Sequence, residues 1–241
     1  MFWINKEIIA SSVIMVLILY LDLLSQPCRA LYITLKLFNI PFKCEFISIG
    51  NGEHLTEEFT KNISRFNKLP VINDNGFKLT ESIGILKYLA KTRNIKGNYY
   101  PQDAQIQARI DEYLEWQHLN VRFICSLYFF RKFVSPKLYG KISPPEKLKL
   151  CFDKMENCLD NVEALWLNGG PYITGDQLTA ADVWAACEIE QLTAAGYDPK
   201  VGRPKLAAFL ERVRHETNPY YDEAHKEIYQ IVEMENKRSK L

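Results

Sequence analysis

The spacing of apolar residues changes character near residue 92 of this 241-residue chain. Before that point, apolar runs of strand length alternate with segments whose apolar residues recur every three or four positions, as they do in amphipathic helices. From about residue 102 onward no convincing strand occurs, and the helical spacing continues. The sequence therefore predicts an α+β domain followed by an all-α helical domain.

In the first half, the order of the predicted elements is βαβαββα. They comprise a strand over 16–21, a helix over 27–37, a strand over 43–48, an irregular helical region over 54–61, two strands that flank residues 75–76, and a helix from residue 81. Asn75-Gly76 between two apolar runs is a strong signal for a tight β-hairpin. This order predicts a thioredoxin-like N-terminal domain.

The second half is predicted to hold one long helix and four further helices. Apolar residues from Ile106 to Tyr128 recur at intervals of three and four, which predicts the long helix. Segments that contain proline separate the remaining helices, and they lie at 143–145, 169–171, 202–204 and 218–219. We therefore divide the chain into an apolar N-terminal extension over 1–15, a first domain over 16–92, a linker over 93–103 and a helical domain over 104–241.

One helix start in the second half can be read directly from the sequence ITGDQLTAADVW. Thr179 is placed to cap the helix, and Asp182, three residues later, is placed to accept a hydrogen bond from the N–H of the cap residue. This pattern is a capping box with aspartate in place of the usual glutamate or glutamine. We therefore interpret Asp182 as a structural residue and not as a catalytic acid.

Charge and cysteine content exclude several classes of function. Lys and Arg total 30 against 29 for Asp and Glu, so the chain lacks the positive excess that neutralises a phosphate backbone, and we expect no nucleic-acid partner. The six cysteines form no CxxC pair, and no histidine has zinc-finger spacing. We therefore expect reduced thiols, no metal and a cytoplasmic chain.

Residues 8–21 form an apolar stretch that resembles a targeting segment. It has the length of a signal-peptide core but a barely basic flank, and Asp22 interrupts it before the roughly 20 residues that a membrane span requires. Its second half is also the predicted first strand, which cleavage or insertion into lipid would remove from the domain. We therefore expect an unprocessed, soluble chain that does not insert into a membrane.

Residues 25–28 read SQPC, directly after the first predicted strand. A thioredoxin-type redox motif has cysteine at both ends of this tetrapeptide, but here Ser25 stands first and only Cys28 remains. Taken alone, Ser25 is an ordinary helix N-cap. We expect Cys28 to pack as a small buried residue, and a redox role through a mixed disulfide is the alternative.

Several motifs occur together between residues 19 and 229, namely YLDLLSQPCRALYI, LPVIND, LTESIGILKYL, YYPQD, DEYLEWQH, LTAADVW and GRPKLAAF. In combination they resemble the cytosolic glutathione transferases of the theta class, in an insect-like form, and the class assignment rests chiefly on LLSQPCRA and DEYLEWQH. The resemblance implies glutathione as a co-substrate, no bound cofactor, a small hydrophobic electrophile as second substrate, and a homodimer.

The resemblance assigns the catalytic role to Ser25. Glutathione brings its own cysteine, so the enzyme needs a group that favours thiolate over thiol. A hydroxyl hydrogen bond to the sulfur, at the positive end of a helix, lowers the pKa of a thiol from about 8.5.

The resemblance also implies the residues that bind glutathione, which are His54, Lys68, Leu69, Pro70, Glu81, Ser82 and Arg122. A cis bond before Pro70 would turn the backbone of Leu69 outward to pair with the cysteinyl part of glutathione. Glu81 and Ser82 open a helix whose free N–H groups can hold the γ-glutamyl carboxylate.

His54 and Lys68 occupy positions offered to the glycyl carboxylate, and Arg122 is a further carboxylate contact. A solvated loop histidine, a surface lysine and a simple helix start are the plain structural alternatives.

Aromatic residues of the long helix are candidates for the electrophile pocket, and they are Tyr113, Trp116, Phe123 and Tyr128. Aromatic residues at helical spacing are as typical of a core. Alkyl halides, hydroperoxides and arylmethyl sulfates all suit an activated thiolate, and the hydroperoxides imply a side glutathione peroxidase activity.

Two other classes of function remain open. One is a non-catalytic module that resembles glutathione transferases and mediates protein assembly. The other is a membrane-inserting relative that resembles the intracellular chloride channel proteins, which would carry a redox cysteine in place of Ser25.

Overall fold

The structure is a computed structural model, and it describes residues 16–95 and 97–238. The predicted extension over 1–15 lies outside the described residues. The first domain contains strands β1 (Leu17–Leu21), β2 (Phe42–Phe46), β3 (Val71–Asp74) and β4 (Phe77–Thr80), with helices α1 (Gln26–Leu37), α2 (Glu57–Asn62) and α3 (Ser82–Thr92) and a short 3₁₀ turn at Glu53–Leu55. The predicted order βαβαββα is confirmed.

The four strands form one mixed sheet in the order β2-β1-β3-β4. β1 pairs in parallel with β2 and antiparallel with β3, and β3 pairs antiparallel with β4. The hairpin predicted at Asn75-Gly76 is present, and both residues have positive φ, 57° and 93°, as a type I′ turn requires. The thioredoxin-like fold of the first domain is therefore confirmed.

The second domain is helical, as predicted. The long helix α4 runs without a break over 104–139, and its turns widen to π-helical geometry at His118–Cys125 and Phe130–Val134. The other helices are α5 (Pro145–Asn161, continued to Trp166), α6 (Ala180–Glu190, continued as a 3₁₀ turn to Ala195), α7 (Pro204–Thr217) and α8 (Tyr220–Arg238). Within the part of the chain that the structure describes, no strand follows Thr80.

The four predicted breaks all fall between helices. Proline stands in the first turn of α5 and of α7. An N–H group at this position has no partner within the helix, so the missing N–H of proline costs no helical hydrogen bond. Of the helices in the described ranges, none combines the length and the apolar character that a bilayer crossing needs.

The capping box at the start of α6 is confirmed. The Asp182 carboxylate accepts hydrogen bonds from the Thr179 N–H (2.7 Å), the Thr179 hydroxyl (2.8 Å) and the Ile173 N–H (2.7 Å). Asp182 is fully buried, and this burial raises its pKa to about 6. A buried carboxylate that accepts three hydrogen bonds in this way has a structural role.

Arg29 joins the two domains inside a shared core. It lies on α1 and is fully buried, and its guanidinium donates to the carbonyl oxygen of Leu23 (2.8 Å) in the first domain. It also donates to the carbonyl oxygen of Cys187 (2.9 Å) and to Oε1 of Gln191 (2.6 Å) in the second. The start of α1 is thereby held against α6.

Candidate active site

Ser25 lies immediately before α1, in extended backbone with φ −87° and ψ 123°. Its carbonyl oxygen accepts the first helical hydrogen bond, from the N–H of Arg29 (3.1 Å), so the side chain stands at the positive end of the helix. Among the described residues, no N–H group of the first turn uses the Ser25 hydroxyl as a cap. The Ser25 side chain is half-buried. The lack of a capping hydrogen bond from the described residues distinguishes it from an ordinary N-cap.

Cys28 lies in the first turn of α1 and is fully buried. Burial raises the pKa of its thiol to about 11, although hydrogen bonds to the Ser25 hydroxyl and to the backbone of Asp22 act in the opposite direction. The thiol is therefore protonated at neutral pH. These features fit the predicted packing role and not a redox thiol.

Asp22 shapes the turn that carries Ser25. One carboxylate oxygen accepts a hydrogen bond from the N–H of Leu24 (2.8 Å), and the other accepts one from the N–H of Ile49 (2.7 Å). Sequence reasoning missed this role and took Asp22 only as the end of an apolar run. Its position one residue after a buried strand and three before the serine was the available signal.

The Leu69–Pro70 peptide bond is cis. Pro70 is buried and Leu69 is half-buried, directly before β3. Strand pairing of β3 begins at Val71, so the backbone of Leu69 lies beyond the paired residues of the sheet.

Glu81 and Ser82 mark the start of α3. Glu81 is exposed and has φ 64° and ψ 109°, which is a strained conformation for a residue with a side chain. Such strain costs on the order of 1–3 kcal/mol and clusters at functional sites. The chain enters α3 through this strained residue. The N–H groups of the first turn of α3 have no carbonyl partner within the helix.

Ser82 has a partner in the second domain. The indole Nε1 of Trp184, on α6, donates a hydrogen bond to the Ser82 hydroxyl oxygen at 3.2 Å. Trp184 is 1% exposed. No sequence signal pointed to this contact, because the two residues lie 102 positions apart.

His54 and Lys68 lie close enough to interact electrostatically. Burial lowers the pKa of His54, and the positive charge of Lys68 lowers it further, while Asp22 opposes the change. The buried Nδ1 of His54 has no hydrogen-bond partner among the described residues. His54 is thus within electrostatic range of Lys68 and of Asp22, which lies in the turn that carries the serine.

Arg122 lies in the π-helical part of α4 and forms an ion pair with Glu188 on α6. The Arg122 side chain is about one-third exposed, whereas the Glu188 side chain is 1% exposed. One turn further along α4, the Ser126 hydroxyl accepts a hydrogen bond from the side-chain amide of Gln26, the residue after Ser25 (3.2 Å). This part of α4 therefore borders the start of α1.

The structure does not bring the four aromatic candidates for the electrophile pocket into one place. Tyr113 is fully buried, and its ring packs against Trp116 (5.9 Å) and Trp166 (5.0 Å) in the core of the helical domain. Tyr128 is 6% exposed and packs on the ring of Phe152 at 5.8 Å.

Phe123, in contrast, is 57% exposed. The helical spacing places 113 and 128 on the buried face of α4 and 123 on the outer face. The role of these four aromatic residues in electrophile binding stays a prediction.

Among the residues that the structure describes, no group of three or more histidine, cysteine or acidic side chains is arranged to hold a metal ion.

Comparison with known protein families decides the assignment. Residues 15–91 match the N-terminal domain of the glutathione S-transferases, and residues 129–217 match their C-terminal domain. The chain belongs to the glutathione S-transferase family. Mouse (Mus musculus) glutathione S-transferase theta-3 is 37% identical to it over 90% of each chain.

Two solved human structures are similar to it throughout. Human glutathione transferase theta-2, in complex with glutathione and an unknown ligand, has a TM-score of 0.86 and 36% identity, covering 92% of this chain and 91% of that one. A human theta-class transferase with the glutathione conjugate of 1-menaphthyl sulfate has the same TM-score and identity, with 93% and 92% covered. These relatives support the theta class, and the insect-like qualifier stays a prediction.

Proposed function

We propose that this protein is a theta-class glutathione transferase that joins the sulfur of glutathione to small hydrophobic electrophiles. The observation that carries the proposal is the half-buried Ser25 hydroxyl at the N-terminus of α1, which no helix-capping hydrogen bond from the described residues occupies. The transferase names of the theta relatives support the same activity. No observation favours the alternative of a non-catalytic assembly module.

In the proposed reaction, the Ser25 hydroxyl donates a hydrogen bond to the glutathione thiolate. The hydrogen bond and the positive end of α1 both stabilise the charged sulfur, so the thiol loses its proton more readily. The thiolate then attacks the electrophilic carbon, a sulfur–carbon bond forms, and the bond to the leaving group breaks. Cys28 takes no part, because burial keeps it protonated.

Glutathione is held, in this proposal, by groups on both sides of Ser25. The backbone of Leu69 pairs with the cysteinyl part. The N–H groups at the start of α3, together with the Ser82 hydroxyl, hold the γ-glutamyl carboxylate, which the helix dipole also favours. His54 and Lys68 offer donors to the glycyl carboxylate.

Arg122 is a further carboxylate contact in the proposed site. Its ion pair with the buried Glu188 holds the side chain in place. The guanidinium has five N–H donors, so engagement with one carboxylate leaves others for a ligand.

We propose arylmethyl sulfates as the first electrophiles to assay, because a related theta-class structure contains the glutathione conjugate of 1-menaphthyl sulfate. Alkyl halides and hydroperoxides complete the panel, and turnover of the last would establish the side peroxidase activity. The C-terminal half of α4 near Arg122 and Ser126 borders the start of α1 and is a candidate wall of the electrophile site.

We also propose a cytoplasmic homodimer that acts in detoxification, with the electrophile-binding domain beginning after the linker at 93–103. The end of α3 at Thr92 and the start of α4 at Ala104 support this division. Light scattering tests the dimer, and cell fractionation tests the compartment.

The proposal is tested by Ser25→Ala. A hydrogen bond to a charged group contributes about 1.5–3 kcal/mol, so turnover should fall by one to two orders of magnitude. The pH at which activity is half-maximal should rise toward the pKa of a free thiol, about 8.5. Glutathione should still bind, because its carboxylates are held elsewhere.

Cys28→Ser is the matched control and should retain turnover. Unchanged turnover in Ser25→Ala, or a loss that appears in Cys28→Ser instead, would assign the chemistry to the other end of the tetrapeptide.

A further inference from the structure

Ser126, on α4, faces the start of α1 across the boundary between the two domains. The side-chain amide of Gln26, the residue after Ser25, donates a hydrogen bond to the Ser126 hydroxyl oxygen at 3.2 Å. Gln26 is 9% exposed, whereas Ser126 is half-buried. A buried amide of the first domain therefore fixes a hydroxyl of the second domain beside the proposed reaction centre.

The hydrogen of the Ser126 hydroxyl has no acceptor among the residues that the structure describes. A hydroxyl donates one hydrogen bond and accepts two, and the Gln26 amide engages only an oxygen lone pair. The hydroxyls of Thr34 and Thr217, which also lie on helices, donate to the carbonyl oxygen four residues earlier, at 2.7 Å in each case. Ser126 makes no such bond within the described part of the chain, so its hydrogen is available to a bound ligand.

The sequence around this hydroxyl is apolar. From Phe123 to Phe130, every residue of α4 other than Ser126 is aliphatic, aromatic or cysteine. A hydrogen bond in apolar surroundings is electrostatically stronger than one in water. A donor aimed at the place where negative charge develops in a reaction therefore has most effect in a site of this kind.

The proposed transfer reaction develops negative charge at two places. The charge starts on the sulfur, where Ser25 and the positive end of α1 stabilise it. The sulfur then uses an electron pair to form the sulfur–carbon bond, and the bond from carbon to the leaving group breaks. The leaving group departs with that bonding pair, on the side of the carbon that faces away from the sulfur. A donor on the sulfur side cannot serve it, whereas Ser126 belongs to the facing wall.

We propose that Ser126 is a second catalytic residue, which donates a hydrogen bond to the leaving group of the electrophile, and that Gln26 is its positioning residue. The inference rests on the proposed transferase function and narrows the substrate class. It favours arylmethyl esters of strong oxyacids over alkyl halides, because a hydroxyl donates a short and strong hydrogen bond to an oxygen anion. No proton is transferred, so the leaving group departs as the anion and Ser126 is unchanged.

The test compares two electrophiles that transfer the same group to glutathione. 1-Menaphthyl sulfate and 1-menaphthyl bromide give one and the same conjugate and differ only in the leaving group. In Ser126→Ala, kcat/KM should fall about 10- to 100-fold with the sulfate, the loss expected for a hydrogen bond to a charged group, and should stay within about threefold with the bromide. Alanine is the best helix former, so this substitution keeps α4 intact.

Three further variants separate catalysis from packing. Ser126→Thr keeps the hydroxyl and should keep the preference for the sulfate. Gln26→Met removes the amide donor at nearly constant length and should lower the rate with the sulfate about 2- to 12-fold, with a smaller effect on the bromide. Ser135→Ala is the matched control on the same helix, because the Ser135 hydroxyl already donates to the carbonyl oxygen of Lys141 at 2.8 Å. It should leave the ratio of the two rates unchanged.

The outcomes distinguish this inference from the proposed function. Equal losses with both electrophiles in Ser126→Ala, or no loss with the sulfate, would overturn the role of Ser126. Turnover of the bromide alone by the unaltered chain would overturn the preference for oxygen leaving groups and leave the transferase function intact. Turnover of neither electrophile would overturn both. Ser25→Ala should slow both electrophiles alike, since the thiolate is common to the two reactions.

Discussion

Replacing Trp184 with phenylalanine should weaken glutathione binding, although Trp184 is buried and belongs to the other domain. Its indole N–H donates to the Ser82 hydroxyl oxygen at 3.2 Å. A hydroxyl has one hydrogen to donate and two lone pairs to accept with. With one lone pair engaged by the indole, the Ser82 hydrogen is free to point at the γ-glutamyl carboxylate. Trp184→Phe removes the N–H and keeps an aromatic ring.

The size of the effect follows from the single hydrogen bond. A hydrogen bond between uncharged groups contributes about 0.5–1.5 kcal/mol. Since about 1.36 kcal/mol corresponds to a factor of ten, the KM for glutathione should rise about 2- to 12-fold. The proposed role of Ser82 is to hold substrate in the ground state and the transition state alike, so kcat should stay within about twofold.

Steady-state kinetics with saturating electrophile measure both parameters for four proteins: the unaltered chain, Trp184→Phe, Ser82→Ala and the double variant. If the tryptophan acts through the serine, Trp184→Phe should have no further effect on KM once the hydroxyl is gone. Trp166→Phe is the matched control, because Trp166 packs on Tyr113 in the core of the helical domain. It should leave the KM for glutathione unchanged.

Two results would refute this reasoning. An equal rise in KM with and without the Ser82 hydroxyl would show that Trp184 acts through packing alone. A fall in kcat at constant KM would show that the contact serves the chemical step.

Two further predictions concern buried charge. Asp182→Ala removes the acceptor of both Thr179 hydrogen bonds and should lower the free energy of unfolding by about 2–4 kcal/mol in urea titration; lost turnover at unchanged stability would revive a catalytic role. Arg122→Ala strands the buried Glu188 carboxylate and should cost about 1–3 kcal/mol of stability, which Glu188→Gln in the same chain should restore. A KM for glutathione that recovers along with stability would argue against a carboxylate contact by Arg122.

Much of the fold could be predicted because its signals are local. The hairpin at Asn75-Gly76, the prolines that open α5 and α7, and the capping box at Thr179 each specify a turn or a helix end within a few residues. Strand ends were less certain, and β2 covers Phe42–Phe46 where 43–48 was predicted. The alternation of apolar and polar residues along a strand does not indicate at which residue its pairing with the neighbouring strand ends.

The contacts that organise the site could not be predicted, since each depends on residues far apart in the chain. The Trp184–Ser82 hydrogen bond and the contacts of Arg29 with Cys187 and Gln191 form only when the two domains pack. The positive φ of Glu81 opposes its local preference, so no propensity indicates it. Helical spacing likewise could not show which aromatic residues of α4 are buried, as Tyr113 is, and which are exposed, as Phe123 is.

The buried guanidinium of Arg29 limits how this protein can be recombined with others. Its donors reach acceptors at Leu23 on one side and at Cys187 and Gln191 on the other. Consider a chimera that keeps residues 16–92 and takes its helical domain from another transferase. It would need a side chain at the position of Gln191 that accepts a hydrogen bond from the buried guanidinium. Without one, the buried guanidinium would lose its side-chain acceptor and keep only backbone carbonyl partners. The two halves are therefore exchanged successfully only as a matched set, with Arg29 and Gln191 inherited together.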